Sequence, residues 1–571
     1  MLAAAFSEFV DPNPSADNGF GDTVVALSTG NVVITSPYAD VGGTDTGAVY
    51  LFNGATGALI SQLVGSSDND YVGIDGVTEL SNGNFVVSSS EWANGAATEA
   101  GAVTFGNGTT GVSGVVSSAN SLVGSTTDDY VGFNDYGISA VTALSNGNYV
   151  VASAYWDNGT VVDAGSVVDA GAVTFGNGTT GVSGVITSSN SLVGSSDDDI
   201  VGVDGVTALS NGNYVVVSSE WQNNGATEAG AVTFGNGTTG VSGVVSSANS
   251  LVGSKTDDYV GYNDDGVSAV TELSNGNYVV SSPYWDNGSV VDAGAVTFGN
   301  GTTGVSGVIT SSNSLVGSSD DDIVGVDGVT ALSNGNYVVV SSEWQNSGAT
   351  EVGAVTFGNG TTGVSGVVSA SNSLVGSKTD DYVGYNDDGI SAVTELSNGN
   401  YVVSSPYWDN GSVVDAGAVT FGSGTTGVSG VITSSNSLVG SFNYDQVGYS
   451  HQSINGYIPA VTALSNGNYV VASPNWGNNG RGAVTFGDGT TGVTGFISSA
   501  NSLVGATDGD AVGYSGVTAL STGNYVVAST YWDSSTEDDV GAVTFGNGTT
   551  GVTGFISSAN SLVGSTSGDL V

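Results

Sequence analysis

Carboxylates are the groups of this chain that could do chemistry, because 53 Asp and Glu residues oppose three Lys and Arg residues, with a formal net charge of −50. Calcium takes six to eight hard oxygen ligands in irregular geometry, so runs of Asp are predicted calcium ligands. The alternative is that these side chains are solvated. The predicted ligands are Asp197, Asp198, Asp199, Asp320, Asp321, Asp322, Asp264, Asp265, Asp387 and Asp388.

One Asp also recurs shortly before a Val-Gly step at eight places along the chain. The simplest interpretation is that each of these carboxylates accepts backbone hydrogen bonds in its own turn. No cofactor is required by the sequence, and calcium is the one that the acidic runs suggest. The eight residues are Asp70, Asp129, Asp199, Asp258, Asp322, Asp381, Asp445 and Asp510.

Tryptophan recurs with the same regularity and has two interpretations. The rings could be exposed platforms that bind sugars or a protein partner, or each could pack on its neighbour through its large apolar area. A single Trp per repeat in one register favours packing, and ligand binding is kept as a prediction. The residues are Trp92, Trp156, Trp221, Trp285, Trp344, Trp408, Trp476 and Trp532.

Catalytic groups are scarce. The chain has no Cys, and His451 is its only His, so neither a zinc cluster nor a Ser-His-Asp triad is indicated. Two carboxylates suffice for a glycoside hydrolase, but no pair stands out among so many. We therefore predict that the protein is not an enzyme. Its negative charge would also repel a phosphate backbone, which excludes nucleic acid as a partner.

These residues sit in a repeated unit marked by nine copies of Gly-Ala-Val-Thr-Phe or a close variant, 54 to 70 residues apart (Gly47 to Gly101, and Gly101 to Gly171). In one unit a hairpin is predicted around Ser210–Asn213, with Asn-Gly in a type I′ turn. Ala231–Phe234 is the predicted third strand and Val241–Val252 the fourth, a polar outer edge. No 3.6-residue apolar period is present, so the fold is predicted to be all-β.

Four antiparallel strands per repeat, with the inner strands apolar on both faces, predict the blades of a β-propeller. A nine-bladed ring is expected, with an open spiral or a smaller ring as alternatives. Residues 1–19 form an N-terminal segment that would supply a closing strand. The repeats are expected at 20–73, 74–132, 133–202, 203–261, 262–325, 326–384, 385–448, 449–513 and 514–571.

The first repeat carries a family resemblance in Phe20-Gly21, in Val32 to Tyr38 and in Gly47-Ala-Val-Tyr-Leu-Phe52. It resembles the FG-GAP repeat of integrin-alpha-type propellers. The resemblance implies a propeller fold. The family's calcium loop is replaced here by Ser-Asn-Gly-Asn, as at Ser145 to Asn148, so those calcium sites are not carried over.

Length variation between repeats falls on the connections from the second to the third strand and from one repeat to the next, which predicts a loop-rich binding face. Short and long repeats alternate from the second to the seventh, and the short ones read Glu-Trp at Glu91, Glu220 and Glu343.

The sequence predicts a bacterial, exported binding scaffold for a protein or glycan, with calcium-assisted adhesion. We expect a monomer or part of a longer polypeptide, outside the membrane and at the cell surface, although no signal peptide is visible. A structural spacer is the alternative, and an acidic glycan hydrolase is less favoured.

Overall fold

The computed structural model describes residues 8–134, 138–159, 167–263, 267–386, 390–453 and 456–571. The chain divides into two compact units, Met1–Tyr262 with Gly299–Ile309, and Asn263–Phe298 with Thr310–Val571. Within the described residues, every regular element is a β-strand apart from one π-helical turn, Trp476–Gly480. The predicted all-β fold with nine repeats is confirmed. No described helix has the length and apolar character needed to span a membrane.

Each repeat contributes a first strand and a second strand that pair as an antiparallel hairpin. The first strands are Val24–Ala26 (β1), Val77–Glu79 (β5), Val141–Ala143 (β10), Val206–Ala208 (β15), Val270–Glu272 (β20), Val329–Ala331 (β25), Val393–Glu395 (β30), Val461–Ala463 (β37) and Val517–Ala519 (β42). The second strands are Asn31–Ser36 (β2), Phe85–Ser89 (β6), Tyr149–Ser153 (β11), Tyr214–Ser218 (β16), Tyr278–Ser282 (β21), Tyr337–Ser341 (β26), Tyr401–Ser405 (β31), Tyr469–Ser473 (β38) and Tyr525–Ser529 (β43).

A third and a fourth strand continue each sheet, again antiparallel. The third strands are Ala48–Asn53 (β3), Ala102–Gly106 (β7), Ala172–Gly176 (β12), Ala231–Gly235 (β17), Ala295–Gly299 (β22), Ala354–Gly358 (β27), Ala418–Gly422 (β32), Ala483–Gly487 (β39) and Ala542–Gly546 (β44). The fourth strands are Leu59–Val64 (β4), Ser121–Val123 (β9), Ser191–Val193 (β14), Ser250–Val252 (β19), Ser314–Val316 (β24), Ser373–Val375 (β29), Ser437–Val439 (β34), Ser502–Val504 (β41) and Ser561–Val563 (β46).

The predicted count of four strands per sheet is wrong for eight of the nine sheets in the described residues, because the next repeat lends each of them a fifth strand. In the first sheet, Leu63 and Val64 pair in parallel with Gly114 and Val115 of the second repeat. The ninth sheet has four strands, and none of the sheets described closes on itself. The lent strands are Gly114–Val115 (β8), Gly184–Val185 (β13), Gly243–Val244 (β18), Gly307–Val308 (β23), Gly366–Val367 (β28), Gly430–Val431 (β33), Gly495–Phe496 (β40) and Gly554–Phe555 (β45).

The lent strand also corrects the predicted polar outer edge. Val241–Val252 is two strands, because Gly243–Val244 joins the preceding sheet and Ser250–Val252 returns to its own. Between them Asn249 turns the chain, accepting from the Ser246 N–H at 2.9 Å and donating to the Val244 carbonyl at 3.0 Å. The fourth strand is therefore covered, and its Ser-Leu-Val residues are buried.

The turn between the first two strands is not of the predicted type I′, and it also bonds to the next repeat. Leu80 and Asn84 close a three-residue loop in which Gly83 alone has positive φ, +80°. This geometry leaves the Asn82 side chain available, and its Nδ2 donates to the Gly178 carbonyl of the next repeat at 2.7 Å. The near-constant Ser-Asn-Gly-Asn sequence thus links repeats as well as turning the chain.

The core lies between successive sheets. Leu80, Val86 and Val103 of the second repeat pack with Tyr149 and Val151 of the third, and the second strands are buried along their length, as predicted. Backbone conformation and a close backbone contact explain why the first residue of the repeated motif is glycine. Gly101 has φ +76° and forms a parallel bridge with Val131, where a Cβ would overlap backbone atoms.

Before the first repeat, Phe9 packs on Phe52 with ring centroids 5.4 Å apart. Residues 1–19 were expected to supply a closing strand; the described part of this segment, residues 8–19, contains no strand, and residues 1–7 lie outside the described residues. In the connection that opens the eighth repeat, His451–Ser453 (β35) pairs antiparallel with Gly456–Ile458 (β36).

Candidate functional site

The tryptophans predicted as ligand platforms lie in the core. Seven of them are 3–7% exposed, and six of these, all but Trp285, belong to the hydrophobic clusters described between sheets. Trp476 is partly buried at the start of the π-helical turn. Trp156, for example, packs with Leu80 and Val86 of the preceding repeat. This placement favours the packing interpretation, since a platform needs an exposed ring face.

The eight recurring Asp residues are buried, and most of them tie adjacent repeats together. Asp70 Oδ2 accepts from the N–H groups of Ser66 and Ser67 at 2.5 and 2.8 Å, within its own turn. Its Oδ1 accepts from the Ala93 N–H at 3.0 Å, which follows Trp92 in the next repeat. A bond to the next repeat is also made by Asp129, Asp199, Asp322, Asp381, Asp445 and Asp510, so these carboxylates satisfy backbone donors of two repeats, a stronger constraint than the turn alone.

The predicted calcium ligands do not converge in the described residues. Asp199 is used in the turn described above, Asp197 Oδ1 accepts from the Val168 N–H at 3.0 Å, and Asp198 has φ +60°. Asp320, Asp321 and Asp322 repeat this arrangement. No group of three acidic or His side chains suited to a metal occurs in the described part of the chain. Asp264, Asp265, Asp387 and Asp388 lie outside the described residues.

His451 is held by a neighbouring aromatic residue. Its ring stacks on Tyr514 at a centroid distance of 4.6 Å, and Nε2 donates to the Tyr514 carbonyl at 3.0 Å. Burial lowers the pKa of His451, so the ring is neutral at physiological pH. This geometry packs the imidazole in a junction between repeats.

A different set of residues forms a cavity of about 470 Å³ where the second repeat meets the third. Its acidic side is formed by Asp75, Glu91 and Glu99, and its aromatic side by three rings. Asp75 precedes the first strand, Glu91 follows the second, and Glu99 precedes the third. The rings are Tyr130, Phe133 and Tyr155. We call this cavity, with its counterparts below, an acidic aromatic pocket.

Hydrogen bonds fix the acidic side of the pocket. Asp75 accepts from the Ser90 N–H at 2.6 Å and from the Ser90 hydroxyl at 3.0 Å. The Tyr130 hydroxyl donates to Glu99 Oε2. On the aromatic side, Phe133 stacks with Tyr155 at 6.3 Å and an interplanar angle of 30°.

The surroundings of two carboxylates of this pocket, Glu91 and Asp75, disfavour their ionised form. Desolvation raises the pKa of Glu91, with further contributions from the charges of Glu99 and Asp75. Desolvation also raises the pKa of Asp75. The hydrogen bond to Glu99, ahead of burial, raises the pKa of Tyr130 to about 12, so its hydroxyl stays protonated and remains a donor.

A second acidic aromatic pocket, of about 420 Å³, lies where the fourth repeat meets the chain that follows it, within the first compact unit. Asp204 accepts from the Ser219 N–H at 2.7 Å, and the Tyr259 hydroxyl donates to Glu228. Desolvation and the charge of Asp204 raise the pKa of Glu220. Tyr259 and Tyr262 supply the aromatic side, with centroids 6.0 Å apart.

The same arrangement occurs a third time in the second compact unit. Asp327 accepts from the Ser342 N–H at 2.7 Å, and the Tyr382 hydroxyl donates to Glu351 Oε2 at 2.5 Å. Tyr407 lies 6.4 Å from Tyr382 and 6.1 Å from Tyr385, ring centroid to ring centroid. Desolvation and the charges of Asp327 and Glu351 raise the pKa of Glu343.

Sequence reasoning identified part of this site. It singled out Glu91, Glu220 and Glu343 and the alternation of short and long repeats, and it assigned binding to the connections that supply the pocket residues. It missed Asp75 and the ring set. The available signal was the Tyr-Val-Gly-Phe or Tyr-Val-Gly-Tyr step that opens each long repeat, at Tyr130, Tyr259 and Tyr382.

The chain matches the sequence model of one protein family, described as "Repeat of unknown function (DUF5650)". The matched segments are residues 26–74, 79–133, 143–203, 208–262, 272–326, 331–385, 395–449, 463–514 and 519–571. No functionally curated protein matches the chain.

Solved structures that are similar to the chain share little sequence with it. A structure titled as the eukaryotic initiation factor is 10% identical and has a TM-score of 0.28, with 84% of this chain and 88% of that chain covered. The crystal structure of the tricorn protease is 11% identical and has a TM-score of 0.23, with 94% of this chain and 48% of that chain covered. The crystal structure of BamB from Moraxella catarrhalis is 12% identical and has a TM-score of 0.23, with 67% of this chain and 81% of that chain covered. Similarity at this level supports no functional argument.

Proposed function

The chain belongs to the family described as a repeat of unknown function (DUF5650), and from this premise we propose that it is a non-catalytic binding scaffold. Its ligand, carried by a protein or a glycan, enters the three acidic aromatic pockets. The observation that carries the proposal is the recurrence of one hydrogen-bonded set of carboxylates and rings at three junctions between a short repeat and the long repeat after it, with a cavity described at the first two. An enzyme needs one active site, whereas repeated equivalent sites are typical of multivalent binding.

Local chemistry supports binding at these pockets. Each combines partly exposed aromatic surface with carboxylates whose charge is poorly solvated. A ligand that covers the rings buries apolar surface, and its hydrogen-bond donors stabilise the carboxylates. In the first pocket, Asp75 accepts hydrogen bonds from Ser90, directly after the second strand, and Glu99 accepts one from the Tyr130 hydroxyl. A ligand would therefore meet side chains that are already ordered, which lowers the entropy cost of binding.

A panel of immobilised glycans and proteins tests this function. The pocket variant carries Glu91→Gln, Glu220→Gln and Glu343→Gln, which remove three charges with almost no change in shape. The surface variant carries Glu8→Gln, Asp22→Asn and Asp538→Asn, exposed residues outside the pockets, and removes the same charge. We expect a ligand that the wild type and the surface variant retain and the pocket variant loses. Retention by all three proteins would contradict the proposal.

We also propose that the nine sheets form a β-propeller like those of the FG-GAP family, as a nine-bladed ring, and that the protein is exported. In support, consecutive sheets share a core and first strands of neighbouring repeats lie side by side, as for β5 with β10 and β30 with β37. Particle images by electron microscopy would test the ring. Nine blades in class averages are expected, and an open array would contradict closure.

A further inference from the structure

We propose that the acidic aromatic pockets bind an organic cation, an ammonium or guanidinium group. This inference rests on the proposed binding function and specifies the chemistry of its ligand. It follows from three properties of the cavities: the hydrogen-bonding capacity of their walls, their aromatic faces, and their net charge.

The polar side chains that line the first pocket mainly accept hydrogen bonds. The Ser90 hydroxyl already donates to Asp75, and the Tyr130 hydroxyl donates to Glu99. What remains at the cavity is carboxylate oxygen, together with the hydroxyl of Tyr155. A ligand rich in N–H donors matches such a wall, and charge-assisted bonds from ammonium or guanidinium to carboxylate are about twice as strong as neutral ones.

The aromatic rings of the pockets attract the same class of ligand. Phe133 and Tyr155 stand beside Tyr130 in the first pocket, and Tyr385 and Tyr407 stand beside Tyr382 in the third. The face of an aromatic ring is negative and attracts a cation within about 6 Å of its centroid. Rings and carboxylates in one cavity therefore act on a cation together.

Charge distinguishes an organic cation from a neutral sugar. No Lys, Arg or His lines either cavity. Near the third pocket, Lys378 pairs with Asp409 at 3.5 Å, and Arg481 pairs with Asp508 at 3.2 Å elsewhere. The whole chain adds a formal charge of −50, which concentrates cations at its surface.

Size distinguishes an organic cation from a metal ion. In the part of the chain that the structure describes, acidic side chains do not converge in groups suited to a metal. The carboxylates are instead spread around a cavity of 420 to 470 Å³. This volume admits an alkylammonium or guanidinium side chain.

Calorimetric titration with two probes, L-argininamide and hexalysine, tests the inference on the full chain at 50 mM and 150 mM salt. A third variant, Phe133→Leu, Tyr262→Leu and Tyr385→Leu, removes one partly exposed ring from each pocket and keeps every carboxylate. We expect three equivalent sites per wild-type chain. Affinity should fall about tenfold in the pocket variant and about threefold in the ring variant, and less than twofold in the surface variant.

The two probes separate the sources of the cation. Binding of both probes with the expected variant pattern indicates a single side-chain group, and binding of hexalysine alone with that pattern indicates a basic polypeptide; both support the inference. Equal losses in the pocket and surface variants would mean non-specific attraction to an acidic surface and would overturn it. So would the absence of binding by the wild type. Melting curves within about 2 °C of the wild type show that each variant is folded.

The inference and the proposed function fail differently. A glycan or protein that the pocket variant loses, combined with no response to either cation, would keep the binding function and overturn the organic cation. Loss of neither class in the pocket variant would overturn both.

Discussion

The junction after the second repeat and the last repeat have the same backbone and different chemistry. Asp75, Ser90 and Glu91 of the second repeat correspond to Ser515, Thr530 and Tyr531 of the ninth. In the second repeat Asp75 accepts from Ser90, and in the ninth the Ser515 and Thr530 hydroxyls share a hydrogen bond of 2.8 Å at the same separation of 15 residues.

The aromatic groups differ as well. Tyr531 occupies the position of Glu91 and packs edge-on to Tyr514 at a centroid distance of 5.3 Å. His451 stacks on Tyr514 at 4.6 Å. The ninth repeat has rings packed on rings, without the carboxylates of the acidic aromatic pockets. The repeat thus accommodates both versions, and the proposed binding function gives a reason for the acidic one.

A second contrast separates these repeats, since the second has a lent strand on its sheet and the ninth has none in the described residues. Leu122 is fully buried, whereas the corresponding Leu562 is 75% exposed. Leu122→Ala should destabilise the protein by about 2–5 kcal/mol, and Leu562→Ala by less than about 0.5 kcal/mol. Urea unfolding checks this. Similar losses at both positions would show that the edge of the ninth sheet is covered in solution.

Removing the Asp that links repeats should have the next largest effect. Asp70→Ala leaves the N–H groups of Ser66, Ser67 and Ala93 without their acceptor, at a cost of about 2–4 kcal/mol. Asp569 holds the same position in the ninth repeat, and its bonds among the described residues are to Ser565 and Thr566 of its own turn. Asp569→Ala should therefore shift the unfolding midpoint much less. An equal shift would remove the link between repeats as the cause.

Converting the first pocket to the chemistry of the ninth repeat tests function with little effect on stability. The double change Asp75→Ser with Glu91→Tyr should reduce the number of L-argininamide sites per chain from three to two, because the acceptors of one pocket are lost. Calorimetry gives the stoichiometry directly. Three remaining sites would show that the cation binds elsewhere.

The pH dependence of stability should reveal the crowded carboxylates. Desolvation, followed by the charges of Asp157 and other neighbours, raises the pKa of Asp169 to about 6, from 3.8. Between these values the folded state holds more protons than the unfolded state, so its stability rises as pH falls from 7 toward 4 and is lost as pH rises through 6.

Melting temperatures at pH 7.5, 6.0 and 5.0 should therefore increase in that order. The pocket variant should show a smaller increase, because Glu91, Glu220 and Glu343 also have raised pKa values. A melting temperature that falls on acidification over this range would contradict the predicted direction.

Much of the architecture was predictable from local pattern. The nine copies of the motif, the lack of a 3.6-residue apolar period, the Asn-Gly turns and the apolar second strands predicted nine small sheets and their hairpins. The Gly-Val pair was not assigned correctly, because a two-residue strand has no period of its own and its partner belongs to another repeat. The recurring Asp was predicted in its turn, but its bond to the residue after Trp crosses a repeat boundary.

The sequence by itself determined the repeat, the all-β character, the acidity and the absence of cysteine chemistry, since these depend on composition and on neighbours along the chain. Tertiary structure decided which strand covers which sheet, that most tryptophans are buried, and that Glu91 meets Tyr130 and Phe133. The physical reason is that pocket walls and sheet edges are built from residues tens of positions apart. Their approach depends on how repeats pack, and no local pattern encodes that distance.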